Sequence, residues 1–259
     1  MVTRESVWPE GTPCWVDLGV SDIPKAISFY TALFGWDIPQ GPAEMGGYSI
    51  ATVGGRQVAA VGPKTGSPEA PSAWTMYIAT DDADATAARI TSAGGQLVMG
   101  PMDVMDQGRL AVATDTTGAF FGIWQGRVHT GVQLANVPGS LTWNEHFSRD
   151  FEGAKAFYAG VFGYEYGDMS SDQFTYATML LNGHEVGGIG AYPAETPGSM
   201  PPAWNTYFGV ADVDKSVQRA TEAGGCVVRQ PVDSPYGRVA VVTDDQGAPF
   251  SLISVPPAK

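Results

Sequence analysis

From residue 14 to 20 the chain alternates in polarity. Val16, Leu18 and Val20 share one parity and Trp15 and Asp17 the other, as expected of a strand with one buried face. Asp22 then stands as a helix cap with Pro24 in the first turn. Ile23, Ala26, Ile27, Tyr30 and Leu33 follow as an apolar stripe at helical spacing that Gly35 ends. Short apolar runs at 48–53 and 57–61 predict two further strands, and a Pro- and Gly-bearing stretch at 62–72 reads as a loop. The order then restarts with a strand at 74–80, a helix at 83–92 closed by Gly94 and Gly95, and strands at 96–99, 109–114 and 119–125.

The same text is written twice. Trp15, Asp17, Asp22, Phe29, Tyr30, Phe34 and Gly35 recur 128 positions later as Trp143, Glu145, Asp150, Phe157, Tyr158, Phe162 and Gly163. The later half of the repeat also matches: Ala73, Trp74 and Tyr77 with Ala203, Trp204 and Tyr207, Gly108 and Arg109 with Gly237 and Arg238, and Asp115 with Asp244. A self-similarity of this length means a duplicated domain. The pattern predicts an α+β chain of four βαβββ modules in two tandem domains, 11–127 and 140–256, joined by a linker at 128–139.

Length agrees, because 259 residues suit two domains of this size. A net charge of −13 with scattered Lys and Arg argues against a nucleic-acid or anionic-membrane partner. No apolar run approaches a membrane span and the first residues lack a secretory pattern, so a cytoplasmic location is expected. Cys14 and Cys226 lack the spacing of a redox or metal motif and read as two small buried hydrophobes, with no disulfide.

Four such modules, a first helix carrying Phe29-Tyr30 or Phe157-Tyr158 and ending in Phe-Gly, and the Asp115/Gly118/Ala119 and Asp244/Gly247/Ala248 turns resemble the vicinal oxygen chelate superfamily. That group contains glyoxalases, bleomycin- and fosfomycin-resistance proteins and extradiol dioxygenases. More narrowly, the chain looks like a tandem glyoxalase-like subgroup often catalogued as hydroxylases. The resemblance implies that two modules curl into a cup-shaped sheet with helices outside and the ligand inside. It also implies a divalent metal held by His and Glu on the central strands. Carried over by position, those ligand sites fall on Trp15, Thr75, Gly122 and the vicinity of Ala59 and Ala60 in copy one. In copy two they fall on Trp143, Asn205, Ser251 and the vicinity of Gly187 and Gly188. Hard cations need converging carboxylates or imidazoles, so the metal site reads as vacated and no cofactor is expected.

Strand parity counted from those positions places Trp15, Asp17, Thr75, Tyr77, Arg109, Phe120, Gly122 and Trp124 inside the first cup. Trp143, Glu145, Phe147, Asn205, Tyr207, Arg238 and Ser251 fall inside the second. The candidate catalytic pairs are Asp17 with Arg109 and Glu145 with Arg238, and the same pairs also read as buried structural ion pairs. The candidate ligand-binding residues are Trp15, Thr75, Tyr77, Trp124, Trp143, Asn205, Tyr207 and Ser251. His146 should face the helices, while His129 at the linker and His184 in a turn read as structural or exposed. The expected function is binding of a small aromatic or polyketide-like molecule in metal-free cups. The alternative is a lyase, isomerase or hydroxylase type of enzyme with a cup carboxylate as general base, and a third reading has one cup active and the other structural. A monomer with internal pseudo-symmetry is expected ahead of a homodimer.

Overall fold

The computed structural model describes residues 1–64 and 69–256; part of the predicted 62–72 loop therefore lies outside the described residues. In chain order the first copy comprises β1 Val2–Thr3, β2 Pro13–Val20, α1 Ile23–Phe34, β3 Ser49–Val53, β4 Arg56–Pro63, β5 Ala73–Ala79, α2 Ala83–Ser92, β6 Gln96–Val104, β7 Gly108–Thr114 and β8 Phe120–Gly126. After β9 Leu134–Ala135, the second copy comprises β10 Leu141–Ser148, α3 Phe151–Phe162, β11 Glu165–Asp168, β12 Tyr176–Leu181, β13 His184–Ala191, β14 Ala203–Val210, α4 Val213–Glu222, β15 Cys226–Ser234, β16 Gly237–Thr243 and β17 Pro249–Ser254.

Each copy builds its own sheet, in the order β3-β4-β2-β5-β8-β7-β6 for the first and β11-β12-β13-β10-β14-β17-β16-β15 for the second. In both, the first strands of the two modules pair antiparallel at the centre: β2 with β5, and β10 with β14. Three of the four modules have the full βαβββ order. In the first module only two strands follow the helix, and Asp37 makes an isolated bridge to Thr52 where the second copy has β11. The expected linker is not a loose tether, because Val132 N donates to Cys14 O at 2.8 Å and β9 joins β1 to β10.

The four α-helices among the described residues each start on an aspartate. Asp22, Asp82, Asp150 and Asp212 each accept a backbone N–H three residues on, at 2.9–3.0 Å. Such a cap is worth about 1 kcal/mol. The long helices end on Gly35 and Gly163, both left-handed, with φ of 71° and 74°.

The two copies pack back to back, each lending its first helix to the other. Phe29 and Phe34 of α1 meet Phe250 and Phe208 of the second sheet, at ring separations of 6.5 and 5.2 Å, and Phe157 of α3 meets Phe121 of the first sheet at 6.0 Å. Val16, Leu18, Met76, Ile78 and Phe121 on the back of one sheet and Phe208, Phe250 and Leu252 on the other are all buried. Aromatic burial on this scale dominates the cohesion of the pair. No helix among the described residues is long and apolar enough to cross a membrane. Cys14 is buried as expected, but Cys226 is exposed because β15 forms the edge of its sheet.

Candidate functional site: two tyrosine-caged carboxylates

On the face opposite the inter-copy core, the strand registers align one row of side chains in each copy. In the first, Trp15 lies opposite Tyr77, then come Gly122, Val112 and Met99. In the second the row reads Trp143, Tyr207, Ser251, Val241 and Arg229. One step along, Asp17 stands between Ala60 and Thr75, and Glu145 between Gly188 and Asn205. Trp15, Asp17, Thr75, Tyr77, Gly122 and Trp124 thus share a cup face, as do Trp143, Glu145, Asn205, Tyr207 and Ser251. Phe120 lies at the rim, 58% exposed.

Each carboxylate stands between two phenols. Tyr48 donates to Asp17 Oδ2 at 3.1 Å, with Tyr77 on the adjoining row, and Trp15 Nε1 donates to the Tyr48 oxygen at 3.0 Å. In the second cup Tyr176 and Tyr207 donate to the two oxygens of Glu145, both at 2.6 Å, and Trp143 Nε1 reaches the Tyr176 oxygen at 3.3 Å. Asn205 Nδ2 donates to Ser251 Oγ at 2.8 Å beside them.

Burial outweighs these donors. It pushes the Asp17 carboxyl up to about 6, against the lowering effect of Tyr48 and Tyr77. Glu145 is raised for the same reason, with Tyr176, Tyr207, Trp143 and the charge of Arg229 working the other way. The tyrosines are pushed upward by burial and by the carboxylates, so they remain donors.

Arg109 and Arg238 are not in the cups, which corrects the expected ion pairs. Arg109 holds Asp84 of α2 at 2.8 Å and Arg238 holds Asp214 of α4 at 2.6 Å. The reason is register: Arg109 lies opposite Gln125, whose side chain accepts from Ala83 N at the start of α2, so both residues face the helix. Asp17 and Glu145 are therefore paired with phenols rather than guanidinium groups. Tyr48 and Tyr176 were not singled out in the sequence, although they obey the same 128-residue offset.

His146 faces the helix side as expected. It is fully buried with Nε2 2.8 Å from Asp115 Oδ2, and it replaces Leu18 of the first copy. His129 is neither remote nor free: its ring meets Trp15 edge-on at 4.2 Å and Trp124 at 5.4 Å, and burial lowers its pKa to about 4. His184 is exposed.

No group of three or more His, Cys, Asp or Glu side chains converges anywhere among the described residues. The phenols pack directly on the glycines of the neighbouring strands. A Cβ at Gly122 would fall within the Tyr77 ring, and one at Gly188 would collide with the Tyr176 hydroxyl.

Residues 14–123 and 140–252 match the Glyoxalase/Bleomycin resistance protein/Dioxygenase superfamily. The "Putative glyoxylase CFP32" of Mycobacterium tuberculosis is 41% identical, over 98% of this chain and 98% of that protein. "Anthracycline biosynthesis protein DauV" of Streptomyces sp. strain C5 is 37% identical over 95% and 94%. Among solved structures, a Mn(II)-bound glyoxalase from Novosphingobium aromaticivorans superposes with a TM-score of 0.67 at 18% identity, over 95% of this chain and 82% of that one. A 2,2',3-trihydroxybiphenyl 1,2-dioxygenase from Sphingomonas wittichii superposes at 0.65 and 13%, over 95% and 91%. At those identities the structural likeness speaks for the fold alone.

Proposed function

This chain belongs to the Glyoxalase/Bleomycin resistance protein/Dioxygenase superfamily, and from that premise we propose that it binds a planar aromatic or polyketide-like molecule in a metal-free cup. The observation that carries the reading is the Glu145 cage: one carboxylate between two phenols at 2.6 Å, beside the part-exposed ring of Trp143. Aromatic walls offer stacking area, and the phenol oxygens, whose own protons go to Glu145, offer acceptors to the hydroxyl groups that edge such a ligand. The name of the Streptomyces relative, an anthracycline biosynthesis protein, supports the same ligand class. In the Mn(II)-bound structural relative a cation is present, whereas here the family's ligand positions carry Trp15, Thr75, Gly122, Trp143, Asn205 and Ser251. Binding in this reading rests on stacking and hydrogen bonds.

A second reading is favoured by the raised carboxyls. Asp17 at about 6 and Glu145 above its ordinary range are suited to take a proton from a bound phenol or from carbon beside a carbonyl. The neighbouring phenols would then stabilise the resulting anion. The two copies already cover each other's helix-bearing faces, which supports a monomer with internal pseudo-symmetry.

The test is a titration of the full chain with 1,8-dihydroxyanthraquinone, followed by tryptophan fluorescence and by chromatography of the recovered probe. Saturable quenching with the quinone unaltered is expected for binding. Conversion to a product that Glu145→Gln slows by about 10²–10⁴-fold would establish the second reading instead. No saturable quenching would refute the proposal.

A further inference from the structure

The two cups repeat one carboxylate cage but differ at the far end of the aligned row. Where the first copy has Met99 opposite Val112, the second has Arg229 opposite Val241, three strands from Tyr207. Arg229 is exposed and makes no ion pair or side-chain hydrogen bond with any described residue. By contrast Arg109 and Arg238 are each held by two carboxylates. The charge of Arg229 is nevertheless felt inside the cup, at both Glu145 and Tyr207.

The tryptophans of the first cup are covered by its own chain. The His129 ring lies against Trp15, its carbonyl accepts from Trp124 Nε1 at 2.9 Å, and its Nδ1 lies 2.9 Å from Gln57 Oε1. Trp15 is left 3% exposed, and Trp124 7%. Trp143, the counterpart of Trp15, remains partly exposed.

We propose that the second cup is the single ligand site of the chain and that Arg229 is its specificity-determining residue, selecting a flat ligand that carries an anionic oxygen group. This rests on the binding reading above and adds to it the ligand's charge and its orientation. An anionic group is attracted to the free guanidinium at the rim and gains nothing from the acidic cage at the deep end, so the acid end points outward. Neutral hydroxyl groups, able to donate to the phenol oxygens, face the cage.

The experiment compares anthraquinone-2-carboxylate with neutral 2-methylanthraquinone, titrated into the full chain by calorimetry and fluorescence. The expected result is one site per chain with the acid bound about tenfold more tightly, as one charge-assisted hydrogen bond would give. Arg229→Ala should erase that preference with the neutral affinity unchanged, and Arg229→Lys should keep part of it. Quenching should survive Trp15→Phe. Equal affinities in the unaltered chain, a preference that persists in Arg229→Ala, or two sites per chain would each overturn the inference while leaving the binding reading in place. Failure of both quinones to bind would remove both.

Discussion

The phenol of Tyr158 donates a hydrogen bond to the buried carboxylate of Asp115 across the boundary between the copies, at 3.0 Å. The reciprocal bond joins Tyr30 to Asp244 at 3.1 Å, and Trp204 and Trp74 donate to the two phenol oxygens. The repeated Phe-Tyr and Asp-x-x-Gly-Ala signatures thus meet each other. What the duplication preserved at these positions is the clasp between the domains.

Tyr158→Phe should cost about 1–3 kcal/mol, because it removes one donor from a buried carboxylate that keeps the backbone N–H groups of Thr117, Gly118 and Ala119. Urea denaturation measures it. Tyr30→Phe should behave alike, and a change near zero in both would mean that the clasp contributes nothing.

His146 gives a test with a built-in comparison, since the first copy places Leu18 at the equivalent position. Substituting His146→Leu removes the contact to Asp115 Oδ2 and should destabilise by about 1–3 kcal/mol, less than a fully stranded charge would cost. Unchanged stability would show that the leucine solution serves either copy.

Two buried carboxylates should give pH dependences of opposite sign. Asp17 has a folded pKa of about 6, above its unfolded value, so the folded chain binds the extra proton and stability falls as pH rises from about 4 to 6. The Asp17→Asn variant should therefore gain on the unaltered chain across that window and hold its advantage above it. Asp115 is lowered, chiefly by its hydrogen bond from His146 against the effect of burial; its stabilisation is present above about pH 4 and lost as pH falls through the folded value. Tm measured from pH 3 to 8 for Asp17→Asn and for Asp115→Asn, each against the unaltered chain, reads the two slopes. A flat difference for Asp17→Asn would contradict the shift assigned to it.

How far the sequence carried the account depends on which physical signal is local. Alternation at Val16, Leu18 and Val20, the Asp22 cap and the Gly35 stop are written in neighbouring residues, and the structure has β2 and α1 in those places. The facing of Arg109 is not local. It follows from the ladder that sets Arg109 opposite Gln125 and from Asp84 on a helix 25 residues away, so counting parity from a motif put it on the wrong face. Tyr48 and Tyr176 had a usable signal in their exact repetition, but their role required the pairing of β3 with β4 and of β12 with β13, one strand out from the central pair. The clasp between copies and the cover of His129 on Trp15 are tertiary contacts that no periodicity encodes.

The central claim is that the second cup takes a flat organic ligand on protein side chains alone. A crystal structure of the full chain grown with Mn(II) and soaked with 1,8-dihydroxyanthraquinone tests it most directly. The account predicts the quinone against Trp143, its oxygens on Tyr176 and Tyr207, and no cation in either cup. A metal ion coordinated by protein atoms in either cup, or a quinone bound elsewhere, would contradict it.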